Sequence, residues 1–196
     1  MPCTIWRKRI FSLNPAVEVK PFSMKFTKFP VLSELALTYK CNLKCKFCYA
    51  GCNCTKDFGQ SAKESSTEEL KQLIYSISID AKAPSISFTG GEPTLVKELP
   101  ELVRYAKSLD MRVNLITNGT LINEKLAHEL VTSGLDSAQI SIEGVNANTH
   151  DKLVSQAGAF EKAVNTIFLL KSKGVYTHTN TTLNKMNIHE AHQFPG

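Results

Sequence analysis

An α/β fold built on a parallel sheet is what this 196-residue chain predicts. Two observations carry that expectation. From residue 32 onward, short β-branched runs alternate with segments of helical period, the signature of successive βα units. Each of the first four β-type runs also ends in a cysteine, glycine or small polar motif. The C-terminal ends of parallel strands are where such sheets place their sites.

The first strand is expected at Ser33–Thr38, leading straight into a cysteine-rich loop. Ser66 and Glu69 form a capping box that opens a helix whose Leu70, Leu73, Ile74 and Ile77 follow the 3.6-residue period. A second strand, Ser85–Thr89, stops at Gly90-Gly91. Pro100 falls in the first turn of the next helix, where its missing N–H costs little, and Leu99, Leu102, Val103 and Ala106 mark the buried face. The third strand, Arg112–Thr117, ends at Asn118-Gly119. Its following helix buries Leu126, Ala127, Leu130 and Val131, with Gly134 suited to the C-terminal cap. A fourth strand, Ala138–Ile142, ends at Glu143-Gly144. The fourth helix carries Phe160, Ala163, Val164, Ile167 and Leu170 and stops at Gly174. The fifth strand is expected over Val175–Leu183, with no element in Asn184–Gly196.

Composition narrows the functional classes. With 42% apolar and 21% charged residues the chain is globular, and its length suits one domain. A net charge of +5 without a long Lys/Arg block gives no footprint for nucleic acid. The apolar stretch after Arg7-Lys8-Arg9 is too short for a signal peptide, and no run approaches a membrane span. The expected location is the cytoplasm. Residues 1–31, with Pro15, Pro21 and Pro30, read as an N-terminal extension to a core domain over 32–196.

Of six cysteines, five lie between Cys41 and Cys54, with the sixth at Cys3. Disulfide frameworks staple distant segments, whereas metal sites gather ligands locally, so this clustering points to metal. Cys41, Cys45 and Cys48 on one short loop can supply thiolates to three irons of a [4Fe–4S] cluster, leaving one iron open. The alternative is a structural zinc site, with Cys52 or Cys54 as fourth ligand. Gly90-Gly91-Glu92-Pro93 adds a second motif. Its glycines permit close backbone approach, and Glu92 with strand-end carbonyls can accept hydrogen bonds from an ammonium group.

The loop Cys41-x-x-x-Cys45-x-x-Cys48, with aromatic Phe47 before its third cysteine, and the Gly90–Pro93 run together resemble the radical SAM (S-adenosylmethionine) superfamily. That resemblance implies a partial (β/α)6 TIM-like barrel over roughly residues 33 to 183, with five of six strands visible. It implies a [4Fe–4S] cluster on Cys41, Cys45 and Cys48 whose open iron binds SAM. Reductive cleavage of SAM would then yield a 5′-deoxyadenosyl radical that abstracts hydrogen from a substrate. Gly90, Gly91, Glu92 and Pro93 would hold the amino group of SAM, and Phe47 would lie by the adenine. Asn118 and Ser141 would reach the ribose or carboxylate. Tyr49 would shield the cluster. No catalytic residue is assigned beyond the cluster.

Ser141-Ile142-Glu143-Gly144, continued through His150-Asp151, resembles a stretch of radical SAM enzymes that carry a C-terminal SPASM domain, and so implies a peptide or cofactor precursor as substrate. Glu143 stands for the usual Asp, Val145 for a common Pro, and Val154 for an arginine that helps hold the SAM carboxylate. His150 reads as a structural turn residue. Lys40, Lys44, Lys46 and Lys56 give the loop a positive rim suited to flavodoxin or ferredoxin as electron donor. Cys52 and Cys54 are loop thiols or ligands to a second metal. A sixth strand and SPASM domain are not visible, so the chain is expected to be truncated. Its alternatives are a non-catalytic SAM- and iron–sulfur-binding module, or a zinc-binding structural protein.

Overall fold

The computed structural model describes residues 30–51 and 64–194. Most of the expected N-terminal extension therefore lies outside the described residues, as do Cys3, Cys52, Cys54 and Lys56. Five strands form one sheet: β1 (Ser33–Thr38), β2 (Ser85–Gly90), β3 (Arg112–Thr117), β4 (Ser137–Ser141) and β5 (Tyr176–Asn180). They lie in sequence order and every neighbouring pair is parallel. Between them run the helices α1 (Thr67–Ile79), α2 (Leu99–Ser108), α3 (Glu124–Thr132), α4 (Ala147–Val154) and α5 (Ala159–Ser172). The expected partial barrel is thus present as five consecutive parallel strands.

Alternation along the strands sorts the two faces of the sheet. Ile86, Phe88, Val113, Leu115, Ala138 and Ile140 are fully buried and join Leu70, Ile74, Leu102, Ala127 and Leu170 from the helices in one core. The intervening residues are polar apart from Ile116. Glu34 pairs in register with Ser87, Ser87 with Asn114, and Asn114 with Ser137. Asn114 donates to Ser87 Oγ (3.1 Å) and accepts from Ser137 Oγ (2.8 Å), so this row satisfies itself across three strands. Closed (β/α) barrels fill the same positions with bulky apolar side chains. Here the inner face is a hydrophilic floor.

Capping chemistry sets the helix starts. The Ser66–Glu69 capping box is formed in both directions, as the sequence predicts. Four features depart from expectation. Helix α4 occupies a stretch read as loop; it is short, is capped by Asn146, and ends at Ser155 in the left-handed region (φ +60°). Strand β4 starts one residue early, because Ser137 is buried and bonded to Asn114 rather than exposed. Strand β5 stops at Asn180, because Thr181 and Thr182 turn back to Ile142 O and Glu143 Oε2. A 3-10 segment, Ile188–Gln193, also occupies the end that was expected to be featureless. Its Glu190 accepts from Val145 N and Thr149 Oγ1, and the preceding Asn187 donates to Glu143 O (2.9 Å). Buried polar contacts, invisible to hydrophobic periodicity, hold this segment across the ends of β4 and β5. No helix among the described residues is long and apolar enough to cross a membrane.

Candidate active site

All five strands point their C-terminal ends toward one rim of the sheet. A cavity of about 330 Å³ opens there, lined by Cys41, Cys45, Cys48, Phe47, Gly90, Gly91, Glu92, Asn118 and Ser141. Of the residues expected to hold the cluster or SAM, only Pro93 does not line it, while Cys52 and Cys54 lie outside the described residues. Pro93 is buried at the start of a 3-10 turn, where it shapes the chain after Glu92.

The cysteine loop leaves β1 and is held from outside by α4. Lys44 N–H donates to Val154 O (3.2 Å) and Lys46 N–H to Leu153 O (3.0 Å). Leu43, Val154 and Ala159 form a small apolar cluster against Cys41 and Cys45. Val154, which stands where an arginine was expected, thus serves this loop through packing and its carbonyl.

Cys41, Cys45 and Cys48 are free thiols, each partly buried. Burial pushes the Cys45 thiol up to about 12, helped by the neighbouring sulfurs of Cys41 and Cys48 and by Glu143. Burial likewise raises Cys41, against the N–H of Leu43 aimed at its sulfur (3.4 Å). Two neighbouring thiols that resist ionisation, Cys41 and Cys45, mark a site suited to positive charge, since metal binding deprotonates its ligands. Among the described residues, no three His, Cys, Asp or Glu side chains gather tightly enough to hold one metal ion. A cuboidal cluster takes one thiolate per iron and needs no such shell. Three thiolates from one loop fit that need, while Cys52 and Cys54, the candidate fourth ligands of a zinc ion, lie outside the described residues.

Glu92 is 1% exposed and held by four hydrogen bonds. Oε1 accepts from Thr94 N (3.1 Å), Thr94 Oγ1 (2.6 Å) and Thr117 Oγ1 (2.6 Å), and Oε2 accepts from Asn118 N (2.9 Å). Burial raises its pKa, and these four donors work against that rise. Glu92 thereby brackets the ends of β2 and β3 while still lining the cavity. The glycines before it face backbone. A Cβ on Gly90 would stand 2.3 Å from Thr38 O, and one on Gly91 would stand 2.2 Å from Lys40 O. Gly91 N and Glu92 N donate to those same two carbonyls, at 2.7 and 2.8 Å. Close approach is required, but what approaches is the root of the cysteine loop.

Asn118, also on the cavity wall, is tied to the cysteine loop. Its Oδ1 accepts from Thr120 N and Thr120 Oγ1, and its Nδ2 donates to Asn42 Oδ1 (3.0 Å). Nothing in the spacing of the cysteines marks Asn42 as its partner. Ser141, half-buried at the end of β4, stays on the cavity wall.

Beyond it, Glu143 is 3% exposed, and burial pushes its carboxyl up to about 7 against a single N–H from Thr182 (2.9 Å). His150 is buried in α4 and accepts at Nδ1 from Glu143 N (3.0 Å), in keeping with a structural role. Phe47 lies half-buried on the cavity wall, whereas Tyr49 is 92% exposed and shields little. Lys40, Lys44 and Lys46 are exposed around the loop, as its sequence suggests.

Comparison with known proteins gives the same picture at larger scale. The Radical SAM superfamily model matches residues 35–194. Fe-coproporphyrin III synthase of Methanosarcina barkeri is 39% identical over 154 residues, which are 79% of this chain and 37% of that protein. The sporulation killing factor maturation protein SkfB of Bacillus subtilis is 35% identical over 161 residues, 82% of this chain and 38% of its own. The chain thus spans about two fifths of the length of these relatives. Among solved structures, SuiB of Streptococcus suis bound to S-adenosylmethionine superposes with a TM-score of 0.65 at 18% identity, over 84% of this chain and 36% of SuiB. That likeness is one of fold.

Proposed function

The chain belongs to the radical SAM superfamily, whose cofactors are a [4Fe–4S] cluster and SAM, and on that premise we propose that residues 32–196 form a radical SAM core which cleaves SAM reductively. The observation that carries this reading is convergence. Three free cysteines from one loop and the Gly90–Glu92 strand end line a single cavity at the C-terminal rim of a parallel sheet. When bound, the cluster supplies an electron that breaks a carbon–sulfur bond of SAM and leaves a 5′-deoxyadenosyl radical to abstract hydrogen from substrate.

The chain's own residues do the rest. Cys41, Cys45 and Cys48 surrender protons and hold three irons. Phe47 offers an aromatic face to the adenine, and Ser141 a hydroxyl to the ribose or carboxylate. Glu92, held by four hydrogen bonds, would fix the strand-end carbonyls that receive the amino group of SAM, with Oε2 still able to accept from it. Burial of the loop against Leu43 and Val154 limits access of water to the iron site. The need for reduced thiols supports a cytoplasmic location.

The substrate is proposed to be a peptide or a cofactor precursor. Support comes from relatives named Fe-coproporphyrin III synthase, sporulation killing factor maturation protein and PqqA peptide cyclase. Electrons are proposed to come from flavodoxin or ferredoxin, docking at Lys40, Lys44 and Lys46. The test is 5′-deoxyadenosine formation by anaerobically reconstituted protein with SAM and dithionite. Product that vanishes in Cys45→Ala is expected. A full four-iron cluster that yields no product would contradict the reading.

A further inference from the structure

Three side chains between the cysteine loop and the end of β3 close a ring of hydrogen bonds. Asn42 Nδ2 donates to Thr120 Oγ1 (2.9 Å), and Thr120 Oγ1 donates to Asn118 Oδ1 (2.6 Å). Asn118 Nδ2 then donates to Asn42 Oδ1 (3.0 Å). Each group gives once and receives once around the circuit, the arrangement in which hydrogen bonds polarise one another. The amide orientations are fixed by chemistry rather than chosen. Thr120 N–H needs an acceptor and finds Asn118 Oδ1 at 2.9 Å, which turns Asn118 Nδ2 toward Asn42.

The ring joins two places that lie far apart in sequence. Asn42 directly follows Cys41, and Asn118 supplies the backbone N–H that caps Glu92 Oε2 at 2.9 Å. From Cys41 to the Glu92 turn there is therefore a continuous path of side-chain contacts. It runs parallel to the backbone bonds from Gly91 N to Thr38 O and from Glu92 N to Lys40 O. Asn118 lines the cavity, so the ring forms part of its wall between the cysteines and the strand ends.

We infer that Asn42, acting through Asn118 and Thr120, is a positioning residue that keeps the cysteine loop in register with the Glu92 turn and so sets the spacing between cluster and SAM. The inference rests on the reading of the cavity as a cluster and SAM site. It assigns to Asn42 no contact with either group. A residue of this kind affects how SAM meets the cluster more than whether the loop folds, because Lys44, Lys46 and Leu43 still anchor the loop to α4 and its apolar neighbours.

The test compares reconstituted wild-type protein with Asn42→Ala, Asn118→Ala and the double variant. Iron and sulfide content, thermal midpoint, SAM dissociation constant and the spectrum of the reduced cluster with and without SAM are recorded. Asn42→Ala should keep its four irons and a midpoint within about 4 °C of wild type. Its SAM dissociation constant should rise roughly tenfold, and the spectral change on adding SAM should shrink. The double variant should bind SAM no more weakly than the worse single one, since the pair acts as a unit. SAM binding and spectrum unchanged in Asn42→Ala would overturn the inference. Loss of iron in step with loss of SAM binding would also overturn it, by showing that Asn42 serves only loop folding. Wild-type protein that holds four irons but binds no SAM would instead sink the parent reading, and this inference with it.

Discussion

Glu92 and Glu143 each follow a strand end on the same cavity, yet their carboxylates are partnered differently. Glu92 receives four hydrogen bonds, whereas Glu143 receives one, from Thr182 N. Burial therefore dominates at Glu143 and lifts its carboxyl from 4.5 to about 7. A group whose folded pKa is raised binds its proton longer in the folded state than in the unfolded one. Stability must then fall as pH rises between those two values. We expect the urea midpoint of the iron-free protein to drop from about pH 5 to about pH 8 by more than that of Glu143→Gln. Buried His150, whose pKa is lowered, works in the opposite sense below its ordinary 6.5 but is common to both proteins. Equal pH profiles for the two would refute the assignment.

Strand ends were the most legible elements, for a physical reason. A run of alternating burial that meets glycine or asparagine marks both the strand and the rim where its ligand groups sit, and β1 and β3 match their expected bounds. Helix α4 is less legible because only His150, Leu153 and Val154 along it are buried, too few to establish a period. The 3-10 segment is held by Glu190 and Asn187, polar residues whose burial no hydropathy pattern announces. At the site, the identity of the lining residues was readable, but the hydrogen-bond partners of Glu92 and Asn118 were not. Donors at Thr94, Thr117 and Asn42 become their neighbours only once the strands are aligned.

The cysteine loop itself presents Lys40, Lys44 and Lys46 outward while its sulfurs face in. Complementary fields steer encounter with acidic partners. Reversing Lys44 and Lys46 to Glu should therefore slow reduction by flavodoxin and leave reduction by dithionite unaltered. Equal slowing with both reductants would show damage to the loop rather than to docking.

On the scale of the molecule, parallel order does the assembling. Five strands in sequence order bring five separate strand-end segments to one rim, and helices on one face leave the other face largely polar and open. The account predicts that this rim holds an iron–sulfur cluster with one iron free for SAM. The most direct measurement is hyperfine coupling between the reduced cluster and SAM labelled at its amino nitrogen, in the reconstituted protein. Coupling that reports direct ligation of the nitrogen to iron is the predicted result. An intact four-iron cluster with SAM present and no such coupling would contradict it.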